Sequence, residues 1–204
     1  MTNEAANLWH TRREPEYRYV HPKRLMMWLY IVSMVMIFAG LTSALVVSQA
    51  DWKEATGQTT FGITVPSVFL YTTILVVLSS GTMQWAYWAA KRRAMGQVNA
   101  GLLLTMMLGI AFLFGQVLGF GQLVEQGVFL VDENPIGSFI YVITGMHALH
   151  LLGGLVMLVV FIVKGLRMRI NPERPIGLEL ATTFWHSLGF LWLYLFVFLT
   201  YIYS

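Results

Sequence analysis

The chain has 204 residues, of which 57% are apolar and only 11% charged, against about 25% charged in a typical soluble domain. With a mean hydropathy of +0.64 it reads as an integral membrane protein, and the lack of any cysteine excludes disulfides, thiolate metal sites and cysteine-based catalysis. The formal net charge of +3 lies between hydrophobic runs and forms no basic stripe, so it speaks for membrane topology and against a nucleic-acid partner.

Residues 1–24 form a polar N-terminal arm with Arg12, Arg13, Arg18, Lys23 and Arg24. The arm lacks the short apolar core of a cleavable signal peptide. His10 and His21 are solvated there, and Trp9, Tyr17 and Tyr19 suit a membrane interface. Five apolar segments follow, each long enough to cross a bilayer, which takes about 20 residues. The first is Leu25 to Val47, followed by a short loop with Asp51, Trp52, Lys53 and Glu54. The second runs from Thr64 to Ala90, with Pro66 near its start, and ends in Lys91, Arg92 and Arg93. The third, Val98 to Gly119, has Ala111, Gly115 and Gly119 at i, i+4 and i+8, a small-residue stripe that lets helices approach closely. After an acidic loop the fourth runs from Ile136 to Val163, with Gly153 and Gly154 as further packing glycines, and the fifth from Leu180 to Tyr203. The expected fold is an all-α five-transmembrane-helix bundle, one membrane domain over residues 25–204.

Five spans place the termini on opposite sides. Of the 13 Lys and Arg residues, all but Lys53 fall on the N-terminal side. The excess of basic residues in cytoplasmic loops then puts the N-terminus in the cytoplasm and the C-terminus outside.

The residues with chemical potential are few. His147 and His150 lie three apart on one face of the fourth span, near mid-membrane, with Thr144 and Leu151 on the same stripe. Glu179 opens the fifth span, and Thr182, Thr183 and His186 follow on its face. Histidines at this depth either ligate a metal or haem or tie helices together by hydrogen bonds. His150 lies about 20 Å from the cytoplasmic end of its span and His186 about 9 Å, at 1.5 Å per residue. That mismatch in level disfavours a shared haem. A structural polar cluster is expected instead, with His147 and His150 in one layer and Glu179 and His186 in a second. Between Leu25 and Val124 the spans contain no acid or base, so the sequence shows neither the midplane charges nor the broken helices of paired repeats that a secondary transporter usually has. A small transporter or channel is the competing class.

Three stretches together resemble subunit III of the haem–copper respiratory oxidases. Thr144-Gly145-Met146-His147-Ala148-Leu149-His150 with Gly153 and Gly154 is similar to the family's TGxHxxHxxxG. Gly177-Leu178-Glu179 leading to Trp185-His186 and Trp192 resembles GxE…WHxxDxxW, and Leu108-Gly109, Phe112 and Gln116 resemble LGxxFxxxQ. Ser79-Ser80 with Ala86 fits the family's SS…A stretch more loosely. Order, spacing and span count agree with the family's five-helix form over residues 25–204.

The resemblance implies a non-catalytic subunit of an oxidoreductase complex, with no redox centre, metal or cofactor in this chain. Haem and copper would belong to partner subunits, subunit I would be the direct partner alongside other oxidase subunits, and phospholipid would bind between helices. The complex would reduce oxygen to water and pump protons in the inner membrane of a bacterium. Its donor would be cytochrome c or quinol, and a subunit III-like component of a nitric oxide reductase shares the motifs. Three acids of the family pattern are absent: Met34, Gly119 and Gly189 stand at those positions. That weakens an inherited part in proton collection and favours a structural one.

Overall fold

The computed structural model describes residues 22–57, 65–130, 135–167 and 176–203. The arm up to residue 21, with His10 and His21, lies outside them, as do Asp132, Glu133, Arg169 and Arg174. The described residues form five helices: α1 (Pro22–Thr56), α2 (Val68–Lys91), α3 (Met95–Glu125), α4 (Pro135–Leu166) and α5 (Ile176–Tyr203). All five are long and apolar enough to cross a membrane.

Local chemistry sets several of the helix ends. α1 and α4 each open on a proline, whose missing N–H is no loss in the first turn and whose fixed φ suits a helix. α1 ends where Gly57 turns to φ +68° and its N–H donates to Lys53 O at 3.0 Å, a glycine stop that satisfies a terminal carbonyl. The expected loop at Asp51, Trp52, Lys53 and Glu54 is therefore helical. A helix of 35 residues spans about 52 Å at 1.5 Å per residue, well beyond a hydrocarbon core of about 30 Å. Its charged end can project past the core without unwinding. Conversely, α2 begins at Val68 and leaves Pro66 just ahead of it.

Helices α2, α3, α4 and α5 close a ring. α2 packs on α3, α3 on α4, α4 on α5 and α5 back on α2, while α1 lies outside against α4 and α5. Among the described residues neither diagonal pair, α2 with α4 or α3 with α5, makes a direct helix-to-helix approach. Hydrogen bonds give the directions. Arg24 with Glu179, Thr42 with Tyr194 and Gln49 with the Ile202 carbonyl ascend together, so α1 and α5 run parallel. Trp192 with Thr73 and Trp185 with Ser79 make α5 antiparallel to α2. The hydroxyls inside these helices mostly turn back on their own backbone: Thr42, Thr105 and Thr182 donate to the carbonyl four residues earlier. That satisfies the hydroxyl proton in an apolar surrounding.

Candidate functional site

Polar and aromatic side chains from all four helices of the ring meet at its centre. His147 of α4 is buried there, 1% exposed. Its ring is boxed by Phe38 of α1, Phe112 of α3 and Trp192 of α5, at centroid distances of 6.3, 5.8 and 5.1 Å. One histidine thus touches aromatic rings from three other helices. Phe112 also meets Trp192 edge to face at 4.8 Å, the arrangement that aligns a positive ring edge with a negative face.

Two indoles join α5 to α2. Trp185 Nε1 donates to Ser79 Oγ at 3.1 Å, and Trp192 Nε1 donates to Thr73 Oγ1 at 3.0 Å. Trp185 needs room, and glycine makes it. A Cβ on Gly109 would come within 3.0 Å of the Trp185 ring, and one on Gly154 within 3.3 Å. Both glycines form the seat of the indole. α2 is fastened to α3 in the same way, by Thr82 with Thr105 at 2.8 Å and by Gln116 Nε2 donating to Thr72 Oγ1 at 3.4 Å.

The proposed polar cluster is divided differently from the sequence expectation. His147 Nδ1 is buried with no hydrogen-bond partner in the protein. His150 is half-buried, and its Nδ1 donates to the Met146 carbonyl of its own helix at 2.8 Å. Its link to α1 is ring packing on Tyr30 and Phe38. These histidines therefore hold neighbouring helices through their faces and not through direct hydrogen bonds.

Glu179 and His186 do not form one layer. Glu179 pairs with Arg24 at 3.0 Å, with both side chains over a third exposed. His186 Nε2 donates to Gln84 Oε1 of α2 at 3.1 Å. Seven residues on one face are two turns, about 10 Å along the axis, so sharing a stripe did not bring them together. Among the described residues no three His, Asp or Glu side chains converge as a metal-binding group.

The small-residue positions also need correction. Gly115 and Gly119 are buried against α2, where an added Cβ would overlap Thr72 and the Phe69 ring. Ala111 is exposed. An i+4 series drifts about 40° per step around a helix of 3.6 residues per turn, so Ala111 has rotated off the face that Gly119 occupies. The buried face instead follows Gly101, Thr105, Gly109, Phe112, Gly115 or Gln116, and Gly119. Gly153 is exposed and a Cβ on it would meet nothing within 4 Å, whereas Gly154 packs against Leu188 and Trp185. At the positions lacking family acids, Met34 is buried in the apolar core and a Cβ on Gly189 would meet Ser80 and Val76 of α2.

Trp185, Trp192 and Ser79 carry more of the architecture than the sequence expectation gave them. An indole N–H inside an apolar helix was the available signal, because it must find an acceptor. The partner on another helix was not readable.

The comparisons with known proteins agree. The profile of the family described as cytochrome c oxidase subunit III matches residues 19–204. "Cytochrome c oxidase subunit 3" of Corynebacterium diphtheriae is 30% identical over 175 residues, covering 83% of this chain and 82% of that protein. "Probable cytochrome c oxidase subunit 3" of Mycobacterium tuberculosis is 26% identical over 172 residues, covering 82% of each. "Cytochrome c oxidase subunit 3" of Oncorhynchus clarkii is 31% identical over 176 residues, covering 84% of this chain and 66% of that protein.

Proposed function

The chain belongs to the cytochrome c oxidase subunit III family, and from that premise we propose that it is a non-catalytic subunit of a haem–copper terminal oxidase, stabilising subunit I. The observation that carries the reading is the use of the motif residues. Ser79, Gly109, Phe112, His147, Gly154, Trp185 and Trp192 converge from four helices on one packed centre. Their side chains seat one another. That mutual packing supports the reading that the motifs serve the shape of the bundle.

The chemistry of oxygen reduction then resides in partner subunits, which hold the haem and copper. The complex reduces oxygen to water with proton pumping in the inner membrane of a bacterium. The names of the relatives favour cytochrome c as donor over quinol. Phospholipid fits the two apolar grooves flanking α1. One, of about 410 Å³, runs between α1 and α5 past Val35 and Tyr194. The other, of about 470 Å³, passes Met27 and Gly153 with Lys23 at its edge, where an ammonium suits a lipid phosphate.

Affinity purification of the tagged chain from its native membrane tests this. Co-purification of larger subunits with haem absorbance and oxygen consumption is the expected result. Isolation of the chain alone, with solute transport after reconstitution into vesicles, would favour the transporter class instead.

A further inference from the structure

A small cavity lies on the axis of the four-helix ring, bordered by Ser79 of α2, Gly109 and Phe112 of α3, His147 of α4, and Trp185 and Gly189 of α5. Its volume is about 10 Å³. Roughly 10–15 Å³ is what a single water needs, and neither an acyl chain nor any cofactor fits in that space. We propose that this cavity is a binding site for one ordered water, hydrogen-bonded to the His147 imidazole and the Ser79 hydroxyl.

Two observations support it independently of size. The first is hydrogen-bonding capacity. A neutral imidazole offers one donor and one acceptor nitrogen, and His147 Nδ1, fully buried, has no partner in the protein. Ser79 Oγ donates to the Val76 carbonyl at 2.8 Å and accepts from Trp185 Nε1 at 3.1 Å, which leaves it one lone pair. The water donates to that lone pair and completes the imidazole. Two polar partners are at the lower end of the two to four that buried waters make. The other side chains on the wall, among them Val76, Leu151 and Leu188, are apolar, so the water has no competing protein partner among them.

The second observation is position. Ser79 and His147 belong to α2 and α4, a diagonal pair with no direct approach; the other diagonal, α3 and α5, is bridged by Phe112 on Trp192 at 4.8 Å. Adjacent helices in the ring reach each other through side chains, as Trp185 reaches Ser79 and Tyr203 reaches the Ile136 carbonyl. A bridging water supplies the missing diagonal link. It makes His147 part of a hydrogen-bonded relay from α4 through the water to Ser79 and on to Trp185 of α5. The inference concerns the bundle itself and stands whichever complex the chain joins.

Electron cryomicroscopy of the intact complex, at a resolution that shows interior waters, tests the site. The expected result is a single spherical peak within about 3.2 Å, the hydrogen-bonding range, of both a His147 ring nitrogen and Ser79 Oγ. The same map of the His147→Phe variant, whose ring fits the aromatic box, should lose that peak while the helices keep their places. Three results would overturn the proposal. They are a wild-type map with no peak there although other buried waters are seen, an elongated lipid-like density, or a peak that persists in His147→Phe. If the variant does not assemble, the wild-type map decides alone.

Discussion

Trp185 of α5 donates its indole N–H to Ser79 of α2 at 3.1 Å, and the indole lies in a seat made by Gly109 of α3 and Gly154 of α4. One side chain thereby sets the separation of all four helices in the ring. Its energetic weight is testable from the Ser79 side. Ser79→Ala leaves a buried indole donor unpaired, which costs about 1–3 kcal/mol. Thr200→Ala removes an exposed hydroxyl that bonds only its own helix at the Phe196 carbonyl, and substitutions of that kind stay within about 0.5 kcal/mol. Thermal release of the subunit from the purified complex should begin several degrees earlier in the first variant and be unchanged in the second. Equal behaviour would show that the indole finds another acceptor.

The α2–α3 contact should tolerate no side chain at Gly115 or Gly119. Gly115→Ala drives a methyl into Thr72, and Gly119→Ala drives one into the Phe69 ring. Overpacking of this sort costs about 1–3 kcal/mol. Ala111→Leu, on the exposed side of the same helix, should leave the isolated fold unaffected. Helix content and melting of the detergent-solubilised chain separate the two classes. A Gly115→Ala protein as stable as Ala111→Leu would mean that α2 and α3 lie farther apart.

The ion pair of Arg24 with Glu179 ties the start of α1 to the start of α5 at a partly exposed position. Such pairs contribute about 0–1 kcal/mol and weaken with salt. Glu179→Gln should shift stability by less than about 1 kcal/mol at low ionic strength, and the difference should fade in high salt. A large loss that salt does not reduce would mean that Glu179 serves a partner subunit or a buried network.

The expected orientation rests on the basic residues, all of which except Lys53 would lie on the N-terminal side of a five-span bundle. A reporter active only after export, fused behind residue 204, should be active, and a cytoplasmic reporter at the same place silent. The opposite pattern would reverse the topology.

How far the sequence could be read depended on the range of the interaction. The five spans were legible because each is a local run of apolar residues, and all five appear as helices. Bounds were less so: nothing in Asp51 to Glu54 stops a helix chemically, and only Gly57 does. Periodicity misplaced Ala111 because a four-residue spacing slips around the helix, and it grouped Glu179 with His186 because a shared face is not a shared depth. The true partners, Arg24 for Glu179 and Gln84 for His186, are 155 and 102 residues away. Nothing local announces such pairings. Trp185 was visible as part of a motif, yet its seat needs glycines from two other helices.

His150 gives the most direct test of the non-catalytic reading. Its Nδ1 is engaged with its own helix and its ring packs on Tyr30 and Phe38 of α1, so His150→Leu should loosen the docking of α1 and little else. Ring pairs contribute about 0.5–1.5 kcal/mol each, a loss that the bundle survives. Haem content, copper content and initial oxygen consumption of the purified complex should match the wild type, with lower retention of this subunit or faster decay of activity over many turnovers. Loss of a haem or copper signal at full subunit occupancy would contradict this and make His150 a ligand.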